Sequence, residues 1–199
     1  MDMTFNKKYD LVMNPNTPVT VLRKLAKDSS SSHVKNHVAY NRNTPDDVLR
    51  DLSKDAEVDV REAVAYNSNT REDLLRDLAK DKSAGVRRAV AWNSKTPLDS
   101  LRHLAKDDEV NVRTQVPKNP NTPEDLLRDL AKDEDRNVRF QVAGNLKSSG
   151  KILGMILDLE KSLNKPNASI IRALYQHKNL PYVAKIVIET LYSNRVYNE

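Results

Sequence analysis

Val60-Arg61-Glu62-Ala63-Val64-Ala65-Tyr66-Asn67-Ser68-Asn69-Thr70-Arg71-Glu72-Asp73-Leu74-Leu75-Arg76-Asp77-Leu78-Ala79-Lys80-Asp81 carries two apolar patterns on either side of a polar hinge. Val60, Ala63 and Val64 share one face at helical spacing, and Leu74, Leu75 and Leu78 do the same further on. The hinge between them returns along the chain. It reads Asn14-Pro15-Asn16-Thr17-Pro18, Asn41-Arg42-Asn43-Thr44-Pro45, Asn93-Ser94-Lys95-Thr96-Pro97 and Asn119-Pro120-Asn121-Thr122-Pro123, with Asn145 opening a decayed copy. From Asn14 to Asn145 the first asparagines stand 27 and then four times 26 residues apart. A fixed period of this size marks a stacked repeat architecture.

Each unit predicts two helices. Thr44 is placed to cap the first, Pro45 to occupy its first position, and Asp47 to close a capping box, with the same trio at Thr96, Pro97, Asp99 and at Thr122, Pro123, Asp125. This first helix is expected to run about eleven residues and the second only about two turns. Asp59, Gly85, Asn111 and Asn137 are the expected N-caps of the second helix. The asparagine that ends it suits a left-handed terminal residue. Pro117 should interrupt the second helix of its unit, and the extra residue of the first unit falls in the polar run Ser29 to Ser32.

Helices this short do not persist alone in water, so stacking must supply the stability. The composition agrees: 199 residues with 38% apolar and 31% charged content suit thin layers better than one deep core. The expected organisation is an N-terminal partial repeat over 1–16, five repeats over 17–147 and a divergent helical cap over 148–199, forming one continuous domain. In that cap Ile170, Ile171, Leu174, Val183, Ile186, Val187 and Leu191 make a more apolar closing pair of helices.

The pattern Val-Arg-x-x-Val-Ala-x-Asn-x-Asn-Thr-Pro-x-x-Leu-Leu-x-x-Leu-Ala-x-Asp, read from Val60 to Asp81 with Arg71 in the proline slot, resembles the variant leucine-rich repeat family, among the HEAT-like solenoids. The resemblance covers roughly Leu11 to Lys147, about two-thirds of the chain. It implies an all-α fold, a right-handed α-α superhelix of about five 26-residue two-helix repeats with terminal caps, in which one helix can be of 3₁₀ type. Some members carry a cysteine-ligated iron–sulfur module. This chain has no cysteine, so that property does not carry over. Ile171-Arg172 and His177-Lys178-Asn179-Leu180-Pro181 look like a shortened echo of the repeat.

Within each unit an aspartate and an arginine stand six apart: Asp55 with Arg61, Asp81 with Arg87, Asp107 with Arg113, and Asp133 with Arg139. They are expected to pair as a structural ladder, with Asp28 facing Lys35 in the first unit. The columns Arg23, Arg50, Arg76, Arg102, Arg128 and Lys27, Lys54, Lys80, Lys106, Lys132 alternate with aspartates on the first helices, as a self-neutralising face does. The net charge of +5 is distributed unevenly, at +4, −4, +3, 0 and −1 over successive repeats, so it forms no stripe.

The outward positions of the second helix vary most. They are Asn36 with Tyr40, Glu62 with Tyr66, Arg88 with Trp92, Thr114 with Lys118, and Phe140 with Gly144. The candidate partner-binding residues are Tyr40, Glu62, Tyr66, Arg88, Trp92, Thr114, Lys118 and Phe140, with Arg88 over Trp92 a cation–π candidate. The expected function is a non-catalytic scaffold binding a protein or peptide. The alternative is DNA or RNA binding through the basic columns. A remoter one, implied by the resemblance to HEAT-like solenoids, is a DNA-base glycosylase.

No nucleophile elbow, phosphate loop or zinc-protease spacing of His33, His37, His103 or His177 nominates a catalytic group, cofactor or metal. No apolar run suggests a leader or membrane segment, which leaves a cytoplasmic location as the expectation.

Overall fold

A computed structural model describes residues 4–27 and 31–196. The fold is an all-α helical repeat of the solenoid class, with fourteen α-helices and one 3₁₀ turn among the described residues. The chain divides into two compact units between Leu104 and Ala105.

The first unit holds α1 (Phe5–Met13), α2 (Val19–Ala26), α3 (Ser32–Tyr40), α4 (Asp46–Leu52), α5 (Val58–Tyr66), α6 (Glu72–Leu78), α7 (Ala84–Trp92) and α8 (Leu98–Leu104). The second helices pack in series, α1 on α3, α3 on α5 and α5 on α7, while α2, α4 and α6 pack beside them. Leu22, Val34, Val38, Leu49, Val60, Val64, Leu75, Val86, Val90 and Leu101 are completely buried between these layers. Each such side chain contributes about 1.5–3 kcal/mol relative to exposure.

The second unit holds α9 (Val110–Arg113), a 3₁₀ turn (Val116–Lys118), α10 (Glu124–Leu130), α11 (Arg136–Gly144), α12 (Gly150–Ser162), α13 (Ala168–Gln176) and α14 (Tyr182–Val196). Pro117 acts as expected: its ring and missing N–H divide what is a nine-residue helix in α5 and α7 into α9 and the 3₁₀ turn. The 3₁₀ turn packs on α11, and α11 on α13, repeating the serial arrangement of the first unit.

Several local expectations are corrected. First helices are the shorter kind, seven residues in α4, α6 and α10 against nine in α5, α7 and α11. They stop early because the chain tightens into three-residue turns after the last leucine, as in Lys54 N–H to Asp51 C=O at 3.2 Å and Asp55 N–H to Leu52 C=O at 3.1 Å. Thr44, Thr96 and Thr122 do not cap the first helices, and neither does Thr70. The hydroxyls of Thr44, Thr96, Thr122 and Thr70 donate backward to the carbonyls of Val38, Val90, Val116 and Val64, and the prolines or Arg71 stand just before the helix.

The residues before the second helices are Glu57, Ser83, Glu109 and Asp135, each two positions ahead of the expected cap. Only Asp135 among them accepts a side-chain cap bond, from Asn137 N–H at 2.7 Å. Of the polar run in the first unit, Ser31 precedes α3 and Ser32 opens it; Asp28, Ser29 and Ser30 lie outside the described residues.

At the C-terminal end, Ile170, Ile171 and Leu174 are buried as expected, and Ile188 with them. Val183, Ile186 and Leu191 are exposed instead, because α14 packs on α13 with Ile188 buried and leaves these three in solvent.

Candidate interaction surface

The surface is registered by asparagine. Among the described residues none has a positive φ, and Asn41, Asn67 and Asn93 close their helices in extended conformation. The reason for asparagine is its amide. Asn67 Nδ2 donates to Ala39 C=O at 2.6 Å and to Asn41 C=O at 3.0 Å, while its Oδ1 accepts from Asn69 N–H at 2.8 Å. Asn41 reaches Val12 and Asn14 in the same way, and Asn93 reaches Ala65 and Asn67. One planar amide therefore satisfies the terminal carbonyls of the preceding helix and its own turn together. In the second unit Asn145 donates to Pro117 C=O, and His177 Nε2 lies 2.9 Å from Asn145 C=O. The shortened echo at His177 is thus a structural repeat with imidazole in place of the amide.

This frame projects the residue before each asparagine outward. In the first unit these are Met13, Tyr40, Tyr66 and Trp92. Met13 and Trp92 are each 54% exposed, Tyr40 is 48% exposed and Tyr66 half-buried. The Tyr40 and Tyr66 rings stack with centroids 6.3 Å apart, and Tyr66 meets Trp92 edge-on at 5.5 Å. Such pairs contribute about 0.5–1.5 kcal/mol each beyond burial. One turn earlier stand Tyr9, Asn36, Glu62 and Arg88. Tyr9 meets His37 edge-on at 5.0 Å, and Asn36 Nδ2 donates to Asp59 C=O at 2.8 Å.

Arg88 does not cover Trp92. It pairs instead with Glu62 at 3.2 Å. Glu62 can reach that far because Gly85 leaves room: a Cβ there would meet its Oε2 at 2.8 Å. Burial first, then Glu62, Tyr66 and Asp59, push the Tyr40 phenol above its ordinary value. Two clefts flank Tyr40. One of about 310 Å³ lies towards Glu57, Asp59 and Glu62, and one of about 390 Å³ lies towards Met13, Pro15 and Arg42.

In the second unit the corresponding positions form no such row. Thr114 is half-buried with its hydroxyl donating to Asn111 C=O at 3.1 Å, Lys118 is exposed on the 3₁₀ turn, and Phe140 is 38% exposed on α11.

The charged ladders form between repeats rather than within them. Arg61 grips Asp81 twenty residues on, with Nε to Oδ2 at 2.7 Å and Nη2 to Oδ1 at 3.0 Å, while its Nη1 donates to the carbonyls of Asp55 and Ala56. Arg113 grips Asp133 in the same way, Lys35 reaches Asp55 through a single bond, and Arg139 donates twice to one oxygen of the buried Glu160. Of the expected capping carboxylates, Asp47 and Asp99 instead pair with Arg23 and Arg76 of the preceding first helix, as Asp73 does with Arg50. Among the described residues no group of three His, Asp or Glu side chains could hold a metal ion. No helix among them is long and apolar enough to cross a membrane.

Comparison with solved structures brings out one described as a leucine-rich repeat variant with a novel repetitive protein structural motif. It is 26% identical, with a TM-score of 0.61, over 86% of this chain and 72% of that one. The chain is similar in fold to a leucine-rich repeat variant. No family model matches it, and no curated protein does.

A repeat frame similar to that of the leucine-rich repeat variant carries the surface residues. Of the residues singled out in the sequence, Tyr40, Glu62, Tyr66, Arg88 and Trp92 come together in the first unit. Sequence reasoning passed over Met13, Glu57 and Asp59. Met13 could have been found, since it precedes Asn14 as Tyr40 precedes Asn41. Glu57 and Asp59 carried no such signal, because they reach the surface by facing α3 from the start of α5.

Proposed function

We propose that the chain is a non-catalytic repeat scaffold whose first unit binds a protein segment along the row Met13, Tyr40, Tyr66 and Trp92, with Arg88 and Glu62 at its flank. The supporting observation is that large aromatic side chains stand in mutual contact yet remain about half exposed, on helices whose positions are locked by buried amides. Rigid aromatic anchors of this kind lose little conformational entropy on binding and dominate interface energetics. Thr114, Lys118 and Phe140 occupy the equivalent positions of their own repeats and are extensions of the same proposal.

Trp92 is the sole tryptophan, so its emission reports on occupancy directly. Peptides selected from a random display library on the purified chain should change that emission. Tyr66→Ala should weaken them roughly ten-fold or more. Selected peptides that leave Trp92 emission untouched and bind Tyr66→Ala as tightly would refute the assignment.

The nucleic-acid alternative has less support. Arg23, Arg50 and Arg76, which would track phosphates, are engaged by carboxylates one repeat on.

A further inference from the structure

The row is apolar and aromatic, but its surroundings are not neutral. The repeat spanning 44–69 carries a net charge of −4, the most acidic of the five. Most of its acids near a cation are engaged: Asp46 and Asp47 by arginines, Asp55 by Lys35, and Glu62 by Arg88. Glu57 and Asp59 are exposed, and neither has an ion-pair partner among the described residues. Both line the cleft between α3 and α5, whose other wall is Tyr40. We propose that this cleft receives an arginine or lysine side chain of the bound segment, with an apolar residue of the same segment entering the neighbouring cleft on the other side of Tyr40. The inference rests on the peptide-binding reading of the row.

Three observations carry it. First, the molecule already contains the recognition it would offer. Arg88 pairs with Glu62 at 3.2 Å, and Tyr66 stands one turn further along α5 from that carboxylate. One repeat earlier the position of Arg88 is Glu62 itself, beside Tyr40, so the corresponding place there has acid instead of base, and neither a lysine nor an arginine lines the cleft, to which α3 adds Ser32, His33 and Asn36. Second, an aromatic face next to two unpaired carboxylates attracts a cation by quadrupole and charge together, in a recess where water screens less than on open surface. Third, Tyr40 is common to two recesses of different character. The acidic one has Asn36 with its amide engaged on Asp59 C=O, and the other is walled by Val12, Met13 and Pro15. A segment in which a basic residue neighbours a bulky apolar one is complementary to both. Alternate side chains of an extended strand would be placed to enter them.

The test uses the full chain and a short fluorescein-labelled peptide in which arginine alternates with leucine, read by anisotropy. It is compared with the same peptide carrying glutamine, and then glutamate, for arginine. The arginine peptide should bind roughly ten-fold more tightly than the glutamine one. Glu57→Gln with Asp59→Asn should erase that preference. Because both residues sit at the start of α5, unfolding of the double variant is checked by circular dichroism. Asn36→Arg supplies an independent arm, since a guanidinium placed on α3 should occupy the cleft and exclude the peptide with the acids intact.

Equal binding of arginine and glutamine peptides, both sensitive to Tyr66→Ala, would overturn the cation site while leaving the aromatic row in place. Failure of all three peptides to bind would overturn it whatever the display selection returns. Preferential binding of a labelled oligothymidylate would overturn it in favour of a nucleic acid.

Discussion

At the scale of the residue, asparagine is what makes the repeat register. The Asn67 amide lies in a buried site where it is the donor to two carbonyls of the preceding repeat and the acceptor for Asn69 N–H. Replacement by alanine removes all three bonds and orphans buried backbone groups, each worth about 1–3 kcal/mol. Asn67→Ala should therefore lower the urea midpoint by several kcal/mol equivalent. Asn67→Asp, which keeps the acceptor but presents oxygen to oxygen, should be at least as damaging. An Asn67→Asp chain as stable as the wild type would show that the amide is not the reason for asparagine. The recurrence of this residue was plain in the sequence. Its purpose was not, because its partners lie 26 and 28 residues away and no local rule connects them.

At the scale of the element, helices of seven and nine residues are tied to their neighbours by charge as well as by packing. Burial would raise the Asp81 carboxyl, but hydrogen bonds from Arg61 and from Ser83 N–H hold it below its ordinary value of 3.8; Asp55 is likewise lowered against burial by Glu57 N–H and Lys35. The unfolded chain therefore takes up protons before the folded one does as pH falls. The stability these carboxylates provide is fully present above an ordinary aspartate pKa and is lost as the pH falls below it towards the depressed folded values. Thermal midpoints should be level at mildly acidic pH and decline below about pH 4. Asp81→Asn should be less stable at neutral pH, show a shallower decline, and approach the wild type in strong acid. A variant with the full wild-type decline would place the acid sensitivity elsewhere.

The six-residue spacing of acid and arginine had been legible, and so had a ladder. The one-repeat offset was not, since it depends on how closely α5 and α7 approach.

At the scale of the whole molecule, a ladder of nearest-neighbour contacts should tolerate loss of a rung. Deleting residues 42–67 joins Asn41 to Ser68 and restores the hinge as Asn-Ser-Asn-Thr. Lys35 then meets Asp81, Arg23 meets Asp73, and the Asn93 amide finds the carbonyls of Ala39 and Asn41. The shortened chain should retain its helical circular dichroism per residue and a cooperative, lower urea transition. Collapse to an unfolded chain would mean that the repeats are not interchangeable.

The period of leucine, valine and asparagine was enough to establish the helical pairs, their number and the buried strip of each, because those depend on spacing along a single helix. Helix lengths, the one-repeat offset of every charged pair and the meeting of Tyr40, Tyr66 and Trp92 depend on distances between helices far apart in the chain. Such distances come into being only when the layers stack.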